Sequence, residues 1–307
     1  MPSHHGFRRY WPGVMAVVIG LTACSSGDLA LGATRSSVAG TETITAADPR
    51  NVIVDEVTQS ATDGLTNPAE PVPEIVIAGG VARRDLQLDE TGSVIVQLTP
   101  LPLRTRALAT NDTLPAPPSF SFRSSITELA GDPLERSTWT EDCPVGIDEL
   151  RYVTVSFVGF DGLAHTGEMI VHADHAQAMV SVFQTLFEAR YPIEEMRIVE
   201  AVDLLPPSDG DVNNTTAFVC RRVTGTTTFS QHAYGLAVDI NPFQNPYVRR
   251  TSVIPPLAMA YADRSWERPG MIAESDLVVT AFDAIGWEWG GHWNTLKDYQ
   301  HFSRNGR

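Results

Sequence analysis

Two stretches in the last third of the chain carry the residue types for metal chemistry: Ser230-Gln-His232-Ala-Tyr-Gly235-Leu-Ala237-Val-Asp239 and Trp287-Glu-Trp289-Gly290-Gly291-His-Trp293-Asn-Thr-Leu-Lys-Asp298-Tyr-Gln-His301-Phe302. Two histidines and a carboxylate on separate segments suit an open zinc site, because three protein ligands leave the fourth tetrahedral position for a water. Asp298 stands three residues before His301. In a helical or tight-turn backbone both side chains project to the same side, so one can bind metal while the other takes a proton from water.

The spacing constrains the elements that hold these groups. His232 and Asp239 are seven residues apart, which on a flat strand puts them on opposite faces. Gly235 and Ala237 relieve this, since glycine permits a bend or bulge and small residues let another backbone approach. After Asp239, Pro242 and Pro246 end any ladder, which places Asp239 at a strand end.

The string S-x-H-x-x-G-x-A-x-D-I-N-P, then G-W-x-W-G-G-x-W and K-D-Y-x-H-F, resembles the zinc peptidases of the D-alanyl-D-alanine carboxypeptidase family. The second half is more similar to the L-alanyl-D-glutamate peptidase branch. The resemblance runs from about Ser119 to the C-terminus. It implies cleavage of peptidoglycan stem peptides and an α+β fold shared with the hedgehog signalling domain, a central antiparallel sheet with flanking helices. It also implies His232, Asp239 and His301 as ligands of Zn2+, Asp298 as the catalytic acid/base, Ser230 as the motif serine beside the ligands and a substrate-binding residue, and Arg221 as the residue that steadies substrate or transition-state charge. Many carboxypeptidases of the family carry Glu where this chain has Asp298, which moves the expected cut toward an L-alanyl-D-glutamate endopeptidase. The alternatives are a D-alanyl-D-alanine carboxypeptidase and, from another class, a non-catalytic lipoprotein that binds cell wall.

Ordinary roles compete for each residue. His232 and Asp239 could form a buried structural pair, Asp298 could cap a turn, Ser230 could satisfy a backbone group, and the tryptophans could be core. One of the adjacent Arg221 and Arg222 is expected to be a solvated charge. His172 and His175 imitate a metal pair but are read, with His165, as parts of a hairpin and a helix entry, having no Cys or carboxylate at metal spacing. Glu288 loses to Asp298 as the base because its neighbours are tryptophans rather than a ligand.

Arg8 and Arg9 precede an apolar stretch too short to span a bilayer comfortably, which reads as a secretion signal over residues 1–23. Leu21-Thr22-Ala23-Cys24 looks like a bacterial lipobox, so Cys24 is the expected lipidation site and the protein is expected outside the cell, anchored to the outer face of the membrane. Cys143 and Cys220 remain, an even pair in an oxidising compartment, and are expected to bond. With 37 acidic against 22 basic residues the chain is a poor partner for nucleic acid, whose affinity comes largely from Lys and Arg on phosphates.

Residues 24–118 read as the anchor cysteine and a mostly flexible spacer, with a possible small hairpin at 74–97 and a Pro-rich second linker at 99–118. The peptidase domain is expected over 119–307, a length that can bury a single core. Tyr152–Phe157 and Thr166–Val171 alternate about Asp161-Gly162, a hairpin signal. Asp174 is expected to cap a helix running to Arg190, Met196–Val202 to form a strand, Phe229–Ile240 to form the metal-bearing strand region, and Ser275–Ile285 to form a helix stopped at Gly286.

Overall fold

The hairpin is the longest regular element of the computed structural model, which describes residues 90, 95–205 and 210–307. Strand β1 (Ser124–Glu128) flanks β2 (Leu150–Val158), which pairs with β3 (Ala164–His172) from Leu150↔His172 to Val158↔Ala164. The turn works as its composition dictates: Asp161 Oδ1 accepts from the Leu163 amide at 3.0 Å, and Gly162 takes φ +76°. The expected signal 1–23, Cys24 and most of the spacer lie outside the described residues. The described residues all fall within one compact unit. No helix among the described residues is long and apolar enough to cross a membrane.

Helix α1 (Asp132–Arg136) is a single short turn, whereas α2 (Ala176–Glu188) presents Met179, Val182, Phe183, Leu186 and Phe187 to the core against β2. Asp174 does not cap α2. A 3-10 turn, Ala173–His175, comes first, and the His172 ring accepts from the Asp174 amide. After the one-turn α3 (Met259–Ala262), α4 (Leu277–Asp283) is capped by Asp276, whose Oδ1 accepts from Val278 and Val279 at 2.8 and 3.1 Å. It stops before Gly286, where φ is +74°.

Among the described residues the expected single central sheet is instead three small antiparallel sheets, each of three strands. Beyond the hairpin come β4 (Ala237–Asp239), β5 (Tyr247–Arg249), β6 (Ser252–Ile254), β7 (Glu288–Trp289), β8 (Lys297–Asp298) and β9 (His301–Ser303). They assort as β4-β9-β7 and β6-β5-β8. Prolines at 242, 246 and 255 interrupt the segments between them, and a residue without an N–H cannot extend a ladder. The strand expected at Met196–Val202 is also absent. There the Asn214 side chain accepts from the Arg197 amide (2.9 Å) and donates to its carbonyl (2.9 Å), doing the work of a neighbouring strand.

The Pro-rich stretch expected as a linker at 99–118 packs onto the domain. Leu103 is buried with Phe243, Val253, Leu257 and Tyr261, and the Thr99 hydroxyl accepts from the Ala260 amide at 2.7 Å. Arg106, 3 % exposed, grips Glu194 through Nε (2.8 Å) and NH2 (2.5 Å) and lies 3.5 Å from Asp211. Composition hid this because a few anchors suffice to bind a Pro-rich strap that forms no strand of its own. The folded unit therefore begins by residue 95, not 119. Removing one partner of a buried pair leaves an uncompensated charge, so Arg106→Ala should lose about 3–5 kcal/mol. A chain starting at Ser119 should melt well below the full chain, and equal melting temperatures would contradict the strap's role.

Candidate active site

Ser230 ends an extended stretch and its Oγ accepts from the His232 amide at 3.4 Å, opening a 3-10 turn over Gln231–Tyr234. Gly235 closes the turn at φ +66°, where an added Cβ would sit 2.6 Å from the His172 amide nitrogen, so no side chain fits. The chain then enters β4 at once. A turn followed by a strand thus brings His232 and Asp239 together despite their spacing, in place of the continuous strand region expected over 229–240. Asp239 lies directly opposite His301 in the β4–β9 ladder.

Three atoms converge. His232 Nε2 lies 3.2 Å from Asp239 Oδ1, His301 Nδ1 lies 2.9 Å from that oxygen, and the two ring nitrogens are 3.3 Å apart. A tetrahedral zinc with bonds of roughly 2.0–2.1 Å needs ligand atoms about 3.3 Å from one another, so the triangle fits such an ion with little adjustment. The donor chemistry fits as well. His232 Nδ1 donates to the Ala217 carbonyl at 2.5 Å, which leaves Nε2 bare for a metal, and His301 Nε2 faces the Arg307 carbonyl at 3.4 Å. Burial alone would raise the Asp239 carboxyl, but the charge of His232 and the hydrogen bonds of both rings hold it well below the usual carboxylate range. Burial would lower His301, yet Asp239 raises it. Among the described residues no second such cluster of His, Cys, Asp or Glu forms.

Asp298 ends β8, opposite Tyr247 of β5, and is joined to His301 only by Tyr299-Gln300. The two residues expected on one turn thus sit on two different sheets. Burial pushes the Asp298 carboxyl up to about 6; His301 opposes this, Asp239 adds to it, and the Gln300 amide donates to its Oδ1 at 3.1 Å. Gly290 lies against this strand, where an added Cβ would meet the Asp298 carbonyl oxygen at 2.6 Å.

Of the two adjacent arginines, Arg222 is engaged, stacking over Phe229 at 4.3 Å and donating to the Thr227 carbonyl. Arg221 is exposed, and its guanidinium makes no hydrogen bond or ion pair among the described residues. Its backbone is held by Ser230, whose amide donates to the Arg221 carbonyl at 3.0 Å. Cys143 and Cys220 are bonded, with Cα atoms 5.8 Å apart, a link worth about 4 kcal/mol when it closes a long loop without strain. It ties down the segment that carries both Ala217 and Arg221.

Trp287 and Trp289 are core; Trp293 is half-buried with its ring 5.6 Å from that of His301. His165 sits between Asp112 (2.9 Å) and Asp161 (3.1 Å), and His175 accepts from Trp287 Nε1 at 3.3 Å, both outside the metal cluster. Glu288 is exposed on β7. A cavity of about 470 Å³ lies beside Lys297 and Tyr299 and is lined by none of His232, Asp239, Asp298 and His301. Strand alternation explains this, since Lys297 and Asp298 face opposite ways. Two contributors were invisible in the sequence: the Ala217 carbonyl, because a backbone group leaves no residue-type signal, and Gly290, whose motif was visible but whose neighbour was not.

The D-alanyl-D-alanine carboxypeptidase family matches residues 224–304, a span that contains His232, Asp239, Asp298 and His301. No curated protein and no solved structure matches the chain. The chain is a metallopeptidase, with a His/Asp/His cluster that could hold the metal. Gly290→Ala should displace Asp298 and lower peptidase activity by about a hundredfold, as an ångström of misplacement does, with the protein still folded. Undiminished turnover would show that β8 tolerates the extra methyl.

Proposed function

We propose that the protein is a zinc peptidase of bacterial cell-wall stem peptides, and that it cuts the bond between L-alanine and D-glutamate. The observation that carries the metal reading is the triangle of candidate ligand atoms, His232 Nε2, Asp239 Oδ1 and His301 Nδ1, at 2.9–3.3 Å from one another. A zinc ion held by His232, Asp239 and His301 would supply Lewis-acid chemistry, polarising a carbonyl and making a water acidic enough to lose a proton near roughly pH 7. Asp298, its carboxyl raised by burial, takes the proton of the attacking water. As the new C–O bond forms and the C–N bond breaks, it hands that proton to the leaving amine. The uncommitted guanidinium of Arg221 offsets charge growing on the carbonyl oxygen or grips a substrate carboxylate through its fork. Ser230 acts mainly by holding His232 in its turn.

The Asp298-x-x-His301 ending and the Trp287-x-Trp289-Gly-Gly-x-Trp293 run support the endopeptidase cut. The matched family's description favours a second reading, a D-alanyl-D-alanine carboxypeptidase. A binder without turnover would have no use for a raised carboxyl beside its metal ligands. In the same reading Cys24 is lipidated after removal of residues 1–23, which holds the enzyme on the outer face of the membrane, facing the wall.

His232→Ala, Asp239→Ala and His301→Ala should each lose bound zinc, while Asp298→Ala retains it and loses turnover. Full zinc occupancy in all three ligand variants would refute the site. Arg221→Lys should be impaired without loss of zinc, since an ammonium cannot reproduce a two-pronged contact. Mass spectrometry of digested wall fragments identifies the bond. A new free L-alanine carboxyl on the glycan side supports the endopeptidase, and release of one terminal D-alanine from a pentapeptide stem supports the carboxypeptidase instead.

A further inference from the structure

We infer that the segment 304–307 is part of the metal centre, with the Arg307 backbone carbonyl fixing the proton of His301 on Nε2 so that Nδ1 is presented bare to the metal; this rests on the zinc reading above. His301 is the outermost ligand in sequence, and its ring lies across the ladder from Asp239 with Nδ1 turned inward to that carboxylate and to His232. Nε2 then points away from the cluster, toward the Arg307 oxygen at 3.4 Å. The same logic holds at the other imidazole, where the Ala217 carbonyl takes the Nδ1 proton of His232. An imidazole has one proton to place between two nitrogens, so a carbonyl behind one of them decides which is free to ligate.

The segment is held where it can do this. The Ser303 hydroxyl donates to the same Arg307 oxygen at 3.0 Å, and the Trp293 indole donates to the Gly306 carbonyl at 2.7 Å while its ring stands 5.6 Å from that of His301. Gly306 takes φ +69°, and a Cβ there would collide with the Glu288 carboxylate, so the tail turns tightly against β7 and back over the ligand. Ser303 is wholly buried, and Trp293 half-buried. The segment is thus a positioning element acting through His301.

The test measures binding of zinc alone, by competition with a chromophoric chelator, to the full chain, to a chain lacking residues 305–307, and to Trp293→Phe. Absorption of the cobalt(II)-substituted proteins reports the ligand geometry. The truncated chain should bind zinc roughly ten- to a hundredfold more weakly, as losses of a group behind a metal-bound histidine do, with an altered cobalt spectrum. Trp293→Phe, which frees Gly306 but keeps a ring beside His301, should move both readouts the same way by less. A tail that only stabilises the fold would lower the melting temperature and leave affinity and spectrum at full-chain values, which overturns the inference. If the truncated chain does not fold, Trp293→Phe decides by itself, and unchanged affinity and spectrum overturn it. A full chain that binds no zinc removes the zinc reading and the inference together.

Discussion

Asp239 and His301 face each other across a ladder only three residues long, and the site exists because that register holds. Side chains alternate along a strand, so a slip of one residue would carry His301 to the opposite face and away from the carboxylate. The core enforces the register. Val238 and Phe302, the neighbouring pair, point the other way and are fully buried, with the Phe302 ring stacked on Phe282 of α4 at 4.0 Å. Apolar packing on one face of β4–β9 thus places the polar pair on the other. The hydrophobic core and the candidate metal ligands are two sides of the same short sheet.

Around that pair, separate pieces of chain contribute one requirement each. The Ser230-capped turn delivers His232, the Ala217 carbonyl orients it, and the disulfide at Cys220 pins the segment that carries Ala217. Sheet β6-β5-β8 delivers Asp298, so the proposed proton carrier stands on a different sheet from the proposed ligands while remaining within their field. Asp239 and Asp298 are both half-buried, and the Asp298 carboxyl is raised first by desolvation, with the charge of Asp239 adding to it. A cation among the three donors answers this, in a chain whose acidic residues outnumber basic ones by 37 to 22.

Side-chain chemistry was legible in the sequence, and backbone chemistry was not. That His232, Asp239 and His301 come together was legible from their residue types and the motifs that hold them, and the hairpin about Asp161-Gly162 was legible because turn chemistry and alternation agree. The Cys143–Cys220 bond followed from parity alone. The strap at 95–118 was missed because its attachment depends on Leu103, Arg106 and Thr99 finding distant partners at 194, 243 and 260, none of which local composition reports. Met196–Val202 looked like a strand because its apolar pattern is that of one; a single Asn214 amide took the place of the partner strand. The division into three sheets turned on prolines whose effect is positional. Met179 and Leu186 were visible as a helix face, but the 3-10 turn ahead of α2 was not, since His172 took the capping role expected of Asp174.

The central claim is a preformed three-ligand centre, and diffraction from crystals of the zinc-loaded protein, recorded across the zinc absorption edge, tests it most directly. The account predicts one anomalous peak about 2.0–2.2 Å from His232 Nε2, an Asp239 oxygen and His301 Nδ1. A peak at His172 and His175, or a zinc that reaches only two of the three atoms, would contradict it.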